Sequence, residues 1–350
     1  MEERSASSVS IMNWELFLDA GKKDFCRKYN SNDVGKKYRR SDFTLIRTIG
    51  EGTFSRVYLS RIVDDPKYYA VKILDKMKVI KLGEAQHIIN EKKILQSINF
   101  PFCVFLKASF QDNSYLYLSL PFIPGGEMFQ HLHRLKRFDE ELSKFYGAQI
   151  VLAIEYLHHC NVIYRDLKPE NIVIDADGYL KLTDFGFSKR IENRTYTVCG
   201  TPDYLAPELL VRKGYGKSVD WWTYGVLLYE MTSGRSPFQA PNMMKICQNI
   251  LCCKYPMPQF FTSDLRHLVN NLLQPDITKR YGCRKEGIKD IKEHSWFFDV
   301  SWLNIFNRQV KAPFVPKVKC EGDSSNFDNF KEIRIEVAVK DYFSKDFEDF

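Results

Sequence analysis

The sequence predicts an α+β protein with two lobes, because three patterns follow one another along the chain. Short β-rich runs begin at Phe43, segments with apolar residues at helical spacing follow Pro124, and periodicity is lost after Trp296. We therefore expect a small antiparallel sheet with one key helix, then a larger helical lobe, then an extended tail.

Composition bounds the class of protein. The 350 residues are 44% hydrophobic with a net charge of +7, which suits a globular chain with an ordinary core and no nucleic-acid motif. No apolar run of about 18 residues is present, and MEERSASS lacks a signal-peptide core. Glu2 stands where N-myristoylation requires glycine. The nine cysteines have neither disulfide nor zinc spacing, so we expect reduced thiols in the cytoplasm or nucleus.

The first elements are predicted from two different periods. Trp14, Phe17, Phe25 and Tyr29 recur at helical spacing and predict an amphipathic helix that packs on a neighbouring surface. From Phe43, the runs FTLIRT, RVYLSRIV, KYYAVKIL and YLYLSL alternate as strands do. Between the last two runs, EAQHIINEKKILQSI has the apolar spacing of the one helix expected in this lobe.

The helical lobe is predicted from two long patterns. Phe145, Ala148, Leu152 and Tyr156 lie on one face of the first, and SVDWWTYGVLLYEMTS forms the second. After Trp296 the chain has no period and includes the acidic stretch EGDSSNFDNF, so about fifty residues are expected to form the tail.

A glycine turn and a buried charge point to a phosphate site. GEGTFSRV, residues 50–57, lies between two strand patterns; its glycines let backbone N–H groups approach phosphate oxygens, although a hairpin alone also explains them. Lys72 shares a strand face with apolar residues, where it needs an anionic partner or must extend to the sheet edge. Glu91 lies within the apolar stripe of the next helix, which favours a buried Lys72–Glu91 pair.

Two polar segments of the second lobe raise a further question of chemistry. YRDLKPEN, residues 164–171, crowds four functional side chains into a stretch that proline prevents from being a smooth helix. TDFG places Asp184 at the end of the predicted strand YLKL, where a carboxylate could reach a metal ion. A polar surface loop and a chance tripeptide would explain each segment alone.

Taken in order from Gly50 to about Trp296, these motifs resemble those of eukaryotic protein kinases: the glycine turn, AVK, a helix glutamate, RDLKPEN, DFG and APE. Within that family, KILDKMKVIKL, NEKKILQSINFPF, FIPGGEMF, FYGAQIVL, CGTPDYLAPE and SVDWW, with Phe347 and Phe350 at the chain end, resemble the AGC group. They are most similar to catalytic subunits of cyclic-AMP-dependent protein kinases, as a divergent member.

The resemblance implies a bilobal protein kinase fold with four parts. These are residues 1–42, an N-terminal amphipathic helix and linker; 43–123, a sheet lobe and hinge; 124–297, a helical lobe; and 298–350, a tail that wraps back to the sheet lobe. The implied activity is transfer of the ATP γ-phosphoryl group to serine or threonine.

The resemblance also assigns catalytic roles. Asp166 would steer the substrate hydroxyl proton and Lys168 would neutralise the transferring group, while Lys72 would hold the α and β phosphates and Glu91 would orient Lys72.

ATP and two Mg²⁺ ions are the implied cofactors, with Asn171 and Asp184 binding the ions. The implied nucleotide-contacting residues are Gly50, Gly52, Val57, Ala70, Lys72, Leu120, Pro121, Ile123, Glu127, Asn171, Asp184 and Phe327.

Substrate selection is implied by family positions for two substrate arginines and for the apolar residue after the acceptor. An acid alone is more often a solvated surface group, but together these positions predict an Arg-Arg-x-Ser/Thr-hydrophobic substrate. The residues are Glu127, Glu170 and Glu230, with Val198, Pro202 and Leu205.

Thr197 resembles the activation phosphosite, with Arg165, Lys189 and His87 at the positions of the family's cationic phosphate partners. Cys199 nearby is either an oxidant-sensing thiolate or a quiet structural thiol. A cyclic-AMP-binding regulatory subunit is the implied partner, and neither membrane insertion nor nucleic-acid binding is expected.

The chain departs from the family at several positions. Ser55 replaces the third glycine, Tyr164 the usual histidine before Arg-Asp, and Ala338 a tail phosphosite, while Pro121 enters the hinge. The regulatory surface retains Lys213, Gly214 and Tyr215, but at four positions the family's aromatic anchors are weakened or lost. Those four positions hold Tyr196, Arg235, Gln239 and Cys247.

Two alternatives remain from the sequence. One is a pseudokinase that binds nucleotide and regulatory subunits without catalysis. Ser55 and the altered surface favour it, and four residues oppose it: Lys72, Asp166, Asn171 and Asp184. The other is a related basophilic kinase that is independent of cyclic AMP.

Overall fold

The computed structural model describes residues 14–31 and 36–350. Predictions for residues 1–13, including the one at Glu2, lie outside the described residues. The first element is helix α1 (Trp14–Tyr29), at the position of the predicted amphipathic helix. Its Phe17 ring lies 6.4 Å from that of Phe100 and 4.8 Å from that of Phe306, so the helix is anchored by aromatic contacts.

Five antiparallel strands form the sheet lobe in the spatial order β1-β2-β3-β5-β4. This confirms the predicted antiparallel sheet, and strand β4 is the one that the sequence reading missed, because four residues are too few to show a period. The strands are β1 (Phe43–Glu51), β2 (Ser55–Ile62), β3 (Tyr68–Asp75), β4 (Ala108–Gln111) and β5 (Tyr115–Pro121).

Two helices connect the strands of this sheet. Helix α2 (Lys76–Lys81) begins at Asp75, whose side chain accepts a hydrogen bond from the Lys78 amide at 3.1 Å. Helix α3 (Ala85–Ser97) lies where the key helix is predicted and carries Glu91 on its buried face. The helix therefore brings a carboxylate to the inner side of β3.

The helical lobe is built mainly from helices with short strand pairs inserted. Its helices and that of the early tail are α4 (Met128–Leu135), α5 (Glu140–His159), α6 (Pro207–Leu210), α7 (Ser218–Ser233), α8 (Met243–Leu251), α9 (Ser263–Leu272), α10 (Lys289–Lys292) and α11 (Trp302–Phe306). The short strands are β6 (Val162–Ile163), β7 (Ile172–Ile174), β8 (Leu180–Leu182) and β9 (Lys189–Arg190), paired β6 with β9 and β7 with β8. Single 3₁₀ turns lie at Arg40–Asp42, Pro169–Asn171, Pro202–Tyr204 and Ser295–Phe297.

Helices α5 and α7 form the centre of this lobe and correspond to the two long predicted patterns. Asp139 starts α5, because its side chain accepts from the Leu142 amide at 2.8 Å. Gly234 ends α7 with a left-handed φ of 81°, a conformation that glycine adopts without cost. Almost every residue of α7 is buried, so this helix is the core against which the loops of the site are fixed.

The tail returns to the sheet lobe as an extended chain. Residues 307–350, all described, contain neither helix nor strand. The Asn113 side chain donates to the Ala338 carbonyl at 2.9 Å, Lys76 pairs with Asp341 at 2.9 Å, and Phe347 is fully buried. The extended tail is therefore held by side chains of the sheet lobe.

Two facts bear on the wider setting of the chain. Among the helices within residues 14–31 and 36–350, none has the combined length and apolarity needed to cross a membrane. The nine cysteines are free thiols.

Candidate active site

A buried ion pair connects the sheet to helix α3. Lys72 Nζ on β3 lies 2.7 Å from Glu91 Oε1 and 3.3 Å from Asp184 Oδ1, and the Glu91 side chain is 1% exposed. Burial lowers the pKa of Lys72, but the carboxylates of Asp184 and Glu91 outweigh it and raise that pKa. The ammonium is therefore permanently charged, and it points inward to two anions rather than extending to the sheet edge.

The segment that follows β6 gathers the other predicted catalytic side chains. Asp166 Oδ2 accepts from Asn171 Nδ2 at 2.7 Å and pairs with Lys168 Nζ at 2.9 Å. Thr201, which the sequence reading did not single out, donates to Asp166 Oδ1 at 3.3 Å and accepts from Lys168 at 3.0 Å. The three predicted residues thus form one hydrogen-bonded cluster with Thr201 as a fourth member.

The backbone of this segment is held from below by a single buried carboxylate. Asp220 of α7 accepts from the Arg165 amide at 2.8 Å, from the Tyr164 amide at 2.9 Å and from His158 Nε2 at 2.7 Å. Arg165 has a φ of 71°, which a non-glycine residue adopts only under constraint. The motif SVDWW contains Asp220, but no period in the sequence predicts this supporting role. An acid inside an otherwise apolar helix is the signal that could have found it.

Asp184 lies at the end of the β8 segment in a left-handed conformation, with a φ of 48°. Its Oδ1 accepts from the Gly186 amide at 3.1 Å, and the Lys72 ammonium lowers the pKa of Asp184 against the opposing effect of burial. The neighbouring Phe185 is fully buried, with its ring 5.2 Å from that of Tyr164. Asp184 is therefore an anion on a fixed backbone.

The oxygen donors here suit magnesium. Among the described residues no group of three or more His, Cys, Asp or Glu side chains is placed to hold a metal ion. Mg²⁺ is usually bound by one or two protein carboxylates together with substrate phosphates. Asp184 supplies an ionised carboxylate that is 49% exposed, and Asn171 donates to Asp166 through Nδ2, which leaves its amide oxygen available to a metal ion.

The predicted adenine-side residues come together across the sheet and the tail. Val57 and Ala70 pack with Ile49, Leu59 and the Phe122–Phe327 pair in one apolar cluster. The Phe327 ring, contributed by the tail, lies 5.4 Å from that of Phe122. Leu120 pairs with Ala70, Pro121 pairs with Tyr69, and Ile123 is buried.

The glycine turn connects β1 and β2. The Gly52 amide donates to the Ser55 carbonyl at 2.9 Å, and a Cβ on Gly52 would approach Ser55 Oγ to 2.9 Å. Gly50 lies opposite Val57 in the strand pair. A side chain at Gly52 would therefore require the Ser55 hydroxyl to move.

The three predicted arginine-binding acids influence one another. Burial raises the pKa of Glu127 to about 7, with a further contribution from Glu170. Burial also raises the pKa of Glu230 to about 7, against a hydrogen bond donated by the Tyr204 hydroxyl. Glu170 itself is exposed. The three acids thus form an acidic cluster in the structure.

The three residues of the predicted apolar pocket differ in exposure. Val198 is 51% exposed and Pro202 is exposed, whereas Leu205 is 7% exposed and belongs to the core. Val198 and Pro202 are therefore the members of this predicted pocket that solvent reaches.

The predicted phosphate partners of Thr197 are not all assembled. Thr197 is exposed, and its carbonyl accepts from the Tyr215 hydroxyl, which also accepts from Arg165 Nη1 at 2.9 Å. Lys189 Nζ donates to Thr195 Oγ1 at 3.2 Å. His87 Nδ1 instead lies 2.6 Å from Glu84 Oε2, at the start of helix α3. The structure therefore does not place His87 on the activation segment.

The remaining departures lie on the surface around this segment. Tyr196 is 70% exposed and its ring covers Gly214, where an added Cβ would approach it to 2.8 Å. Arg235 and Gln239 are exposed. Burial raises the pKa of Cys199, which favours the quiet thiol over the reactive thiolate.

The chain was compared with known proteins. Residues 43–297 match the protein kinase domain family, a range that covers the sheet and helical lobes. A cAMP-dependent protein kinase catalytic subunit of Dictyostelium discoideum is 46% identical over 299 residues, or 85% of this chain, but this chain spans only 46% of that protein's length.

Two other relatives match over most of both chains. Catalytic subunit 2 of the cAMP-dependent protein kinase of Drosophila melanogaster is 42% identical over 321 residues, 91% of this chain and 91% of its own. A cAMP-dependent protein kinase catalytic subunit of Mus musculus is 46% identical over 295 residues, 84% of this chain and 83% of its own.

Proposed function

The chain belongs to the protein kinase family and is a serine/threonine kinase of the AGC group, and we propose that it transfers the ATP γ-phosphoryl group to Ser or Thr in Arg-Arg-x-Ser/Thr-hydrophobic sequences. The observation that carries this proposal is the pairing of two clusters: Lys72 between Glu91 and Asp184, and Asp166 between Lys168 and Asn171. Together the two clusters contain the charged and polar groups that phosphoryl transfer needs.

The chain's own residues would act by positioning and by charge. ATP with bound Mg²⁺ supplies the phosphoryl group. Lys72, held by Glu91, binds the nucleotide phosphates, and Lys168 balances charge that develops on the transferring group. Asp166 Oδ1, whose present bond to Thr201 is long at 3.3 Å, is the oxygen left to accept the substrate hydroxyl. We propose two Mg²⁺ ions, held by Asp184 and Asn171.

The proposal is tested with an Arg-Arg-Ala-Ser-Leu peptide and its Arg→Ala variants. We expect Mg²⁺-dependent transfer to the parent peptide and less transfer to both single variants. Each substitution removes an arginine that would pair with a carboxylate of the acidic cluster. Equal transfer to all three peptides would contradict the substrate assignment. ATP-dependent thermal stabilisation without any transfer would instead favour the nucleotide-binding pseudokinase.

Recognition of this peptide should depend on pH near neutrality. Glu127 and Glu230 have raised pKa values of about 7, so both are largely protonated at pH 6 and ionised at pH 8. A substrate arginine favours the ionised carboxylate. The peptide KM should therefore fall from pH 6 to pH 8, by about tenfold for each carboxylate engaged.

The control for this pH profile is a peptide in which alanine replaces both arginines. Its KM should lack the same fall, because it brings no cation to the acidic cluster. Parallel profiles for the two peptides would show that another group titrates.

We further propose Thr197 as an activating phosphosite. Its exposure, and the nearness of Arg165 through Tyr215 and of Lys189 through Thr195, support this assignment. His87 would have to leave Glu84 to take part. Phosphopeptide mapping of the active enzyme that finds Thr197 unmodified would refute the assignment.

From the names of the relatives we propose control by a cyclic-AMP-binding regulatory subunit. The proposed parts of the chain are residues 1–42, 43–123, 124–297 and 298–350. The proposed location is the cytoplasm or nucleus. Co-purification with such a subunit, and its release by cyclic AMP, would distinguish this from a kinase independent of cyclic AMP. The exposed Tyr196, Arg235 and Gln239 are the positions at which that contact is weakest.

A further inference from the structure

The tail makes an unusual contact with the strand that leads into the glycine turn. Glu332 Oε1 accepts from the Thr48 backbone amide at 2.6 Å, and Oε2 accepts from Thr48 Oγ1 at 2.7 Å. Thr48 is fully buried. One side chain of the tail thus satisfies both polar donors of a buried residue that lies two positions before Gly50.

The position of Thr48 in the sheet explains why this contact matters. Strand β1 is at the edge of the sheet, paired on one side only, with β2. The pairing register shifts between Thr48 and Gly50, as at a β-bulge, where a strand bends and loses ladder hydrogen bonds. The Glu332 carboxylate therefore takes the place of a neighbouring strand at the bend from which the glycine turn departs.

Two arginines hold the tail backbone on either side of this contact. Arg47 Nη2 donates to the Asp328 carbonyl at 2.5 Å, and Arg56 Nη1 donates to the Lys331 carbonyl at 2.9 Å. Burial raises the pKa of Glu332, but the hydrogen bonds from Thr48 and the charges of Arg56 and Arg47 outweigh it and lower the pKa overall.

Arg56 also connects the two ends of the glycine turn. Arg56 Nη2 lies 2.7 Å from Glu51 Oε1, and these residues are opposite each other in the β1–β2 pair. The tail is therefore attached to β1 through Glu332 and to β2 through Arg56, one strand on each side of the glycine turn.

We propose that Glu332 is a positioning residue for nucleotide binding: by bonding Thr48 it holds the edge strand, and through it the glycine turn at residues 50–55, in the conformation that receives the ATP phosphates. This inference rests on the proposed function, since it assigns a role toward ATP. Glu332 acts through Thr48 and is not itself expected to touch the nucleotide.

The test compares Glu332→Ala, Glu332→Gln and a matched control, Glu348→Gln, in the full chain. Glu348 is an exposed glutamate of the same tail, so its substitution removes one charge without reaching β1. Glutamine at position 332 can still accept a hydrogen bond from the Thr48 amide. Glu332→Gln should therefore retain part of the MgATP affinity that Glu332→Ala loses. Thr48→Val removes the hydroxyl arm alone and allows a double-mutant cycle with Glu332→Ala.

The expected result is a split between binding and chemistry. Glu332→Ala should weaken MgATP affinity, measured by calorimetry, by about tenfold, as for one lost charge-assisted hydrogen bond. It should also speed amide exchange across residues 48–56, while kcat and the peptide KM stay unchanged. Adding Thr48→Val should weaken affinity by less than the sum of the two single effects.

Two outcomes would overturn the proposal. One is a Glu332→Ala protein with the same MgATP affinity and exchange as Glu348→Gln. The other is a Glu332→Ala protein with a lower kcat, a higher peptide KM and a lower thermal midpoint together, because that combination indicates a structural role only. Failure of the proposed function is separate from both: the wild-type protein would then bind MgATP without transferring phosphate, and the calorimetric comparison would still decide the role of Glu332.

Discussion

Replacing Asp166 with alanine is expected to lower kcat for peptide phosphorylation by at least about 100-fold, the smaller end of what a positioned general base contributes. Asp166 is 6% exposed and is held by Asn171, Lys168 and Thr201, so no mobile side chain can replace it. The proposed phosphate-binding residue, Lys72, lies in the separate cluster with Glu91 and Asp184. MgATP affinity should therefore persist in this variant.

Two companion variants make the Asp166 result interpretable. Asp166→Asn keeps the shape of the side chain and can still accept a hydrogen bond from Asn171. If its kcat falls as far as that of Asp166→Ala, the negative charge rather than the contact is the requirement. Asp346→Asn, at an exposed position in the tail, should leave kcat unchanged. An Asp166→Ala enzyme with more than a tenth of wild-type kcat would contradict the assigned role.

The largest loss of stability is expected from Arg280→Met. Arg280 is fully buried, with Nη1 2.7 Å and Nη2 3.0 Å from the two carboxylate oxygens of Glu208, and it also donates to the Ser218 and Gln274 carbonyls. Removing it leaves the Glu208 charge buried without a cation, with the neutral Ser218 hydroxyl as a hydrogen-bond donor at 3.0 Å. The free energy of unfolding in urea should fall by about 3–5 kcal/mol.

The control for this loss is Arg284→Met. The Arg284 side chain is 44% exposed and lies 3.8 Å from Asp290, a geometry that contributes at most about 1 kcal/mol. Adding Glu208→Gln to Arg280→Met should recover part of the stability, because the uncompensated charge is then gone. A double variant less stable than Arg280→Met would show that Glu208 is stabilised by groups other than Arg280.

Much of the site could be predicted because its residues lie on regular elements. The Lys72–Glu91 pair follows from a period of two on β3 and a helical period on α3, and the structure places the two side chains 2.7 Å apart. Asp184 was placed at the end of a predicted strand and is found there. A residue whose direction is set by a period can be located from sequence without knowing what it contacts.

Thr201 and Asp220 were missed for the opposite reason. Thr201 reaches Asp166 across a gap of 35 residues from an irregular segment, and Asp220 supports the backbone of Arg165 across 55. Neither separation is encoded by any local period. The position of His87 beside Glu84 shows the same limit, because a residue's place in a helix does not reveal which neighbour its side chain will bond.

The return of the tail has a consequence for the order in which the molecule can be completed. Lys76, fully buried, pairs with Asp341, and Gln111 donates to the carbonyl of Phe347, whose ring is also fully buried. During synthesis the sheet lobe leaves the ribosome first, yet the counter-ion of Lys76 lies 265 residues later. Lys76 is therefore without Asp341 while the helical lobe is being synthesised, so the packing of the sheet lobe is completed only after the tail has left the ribosome.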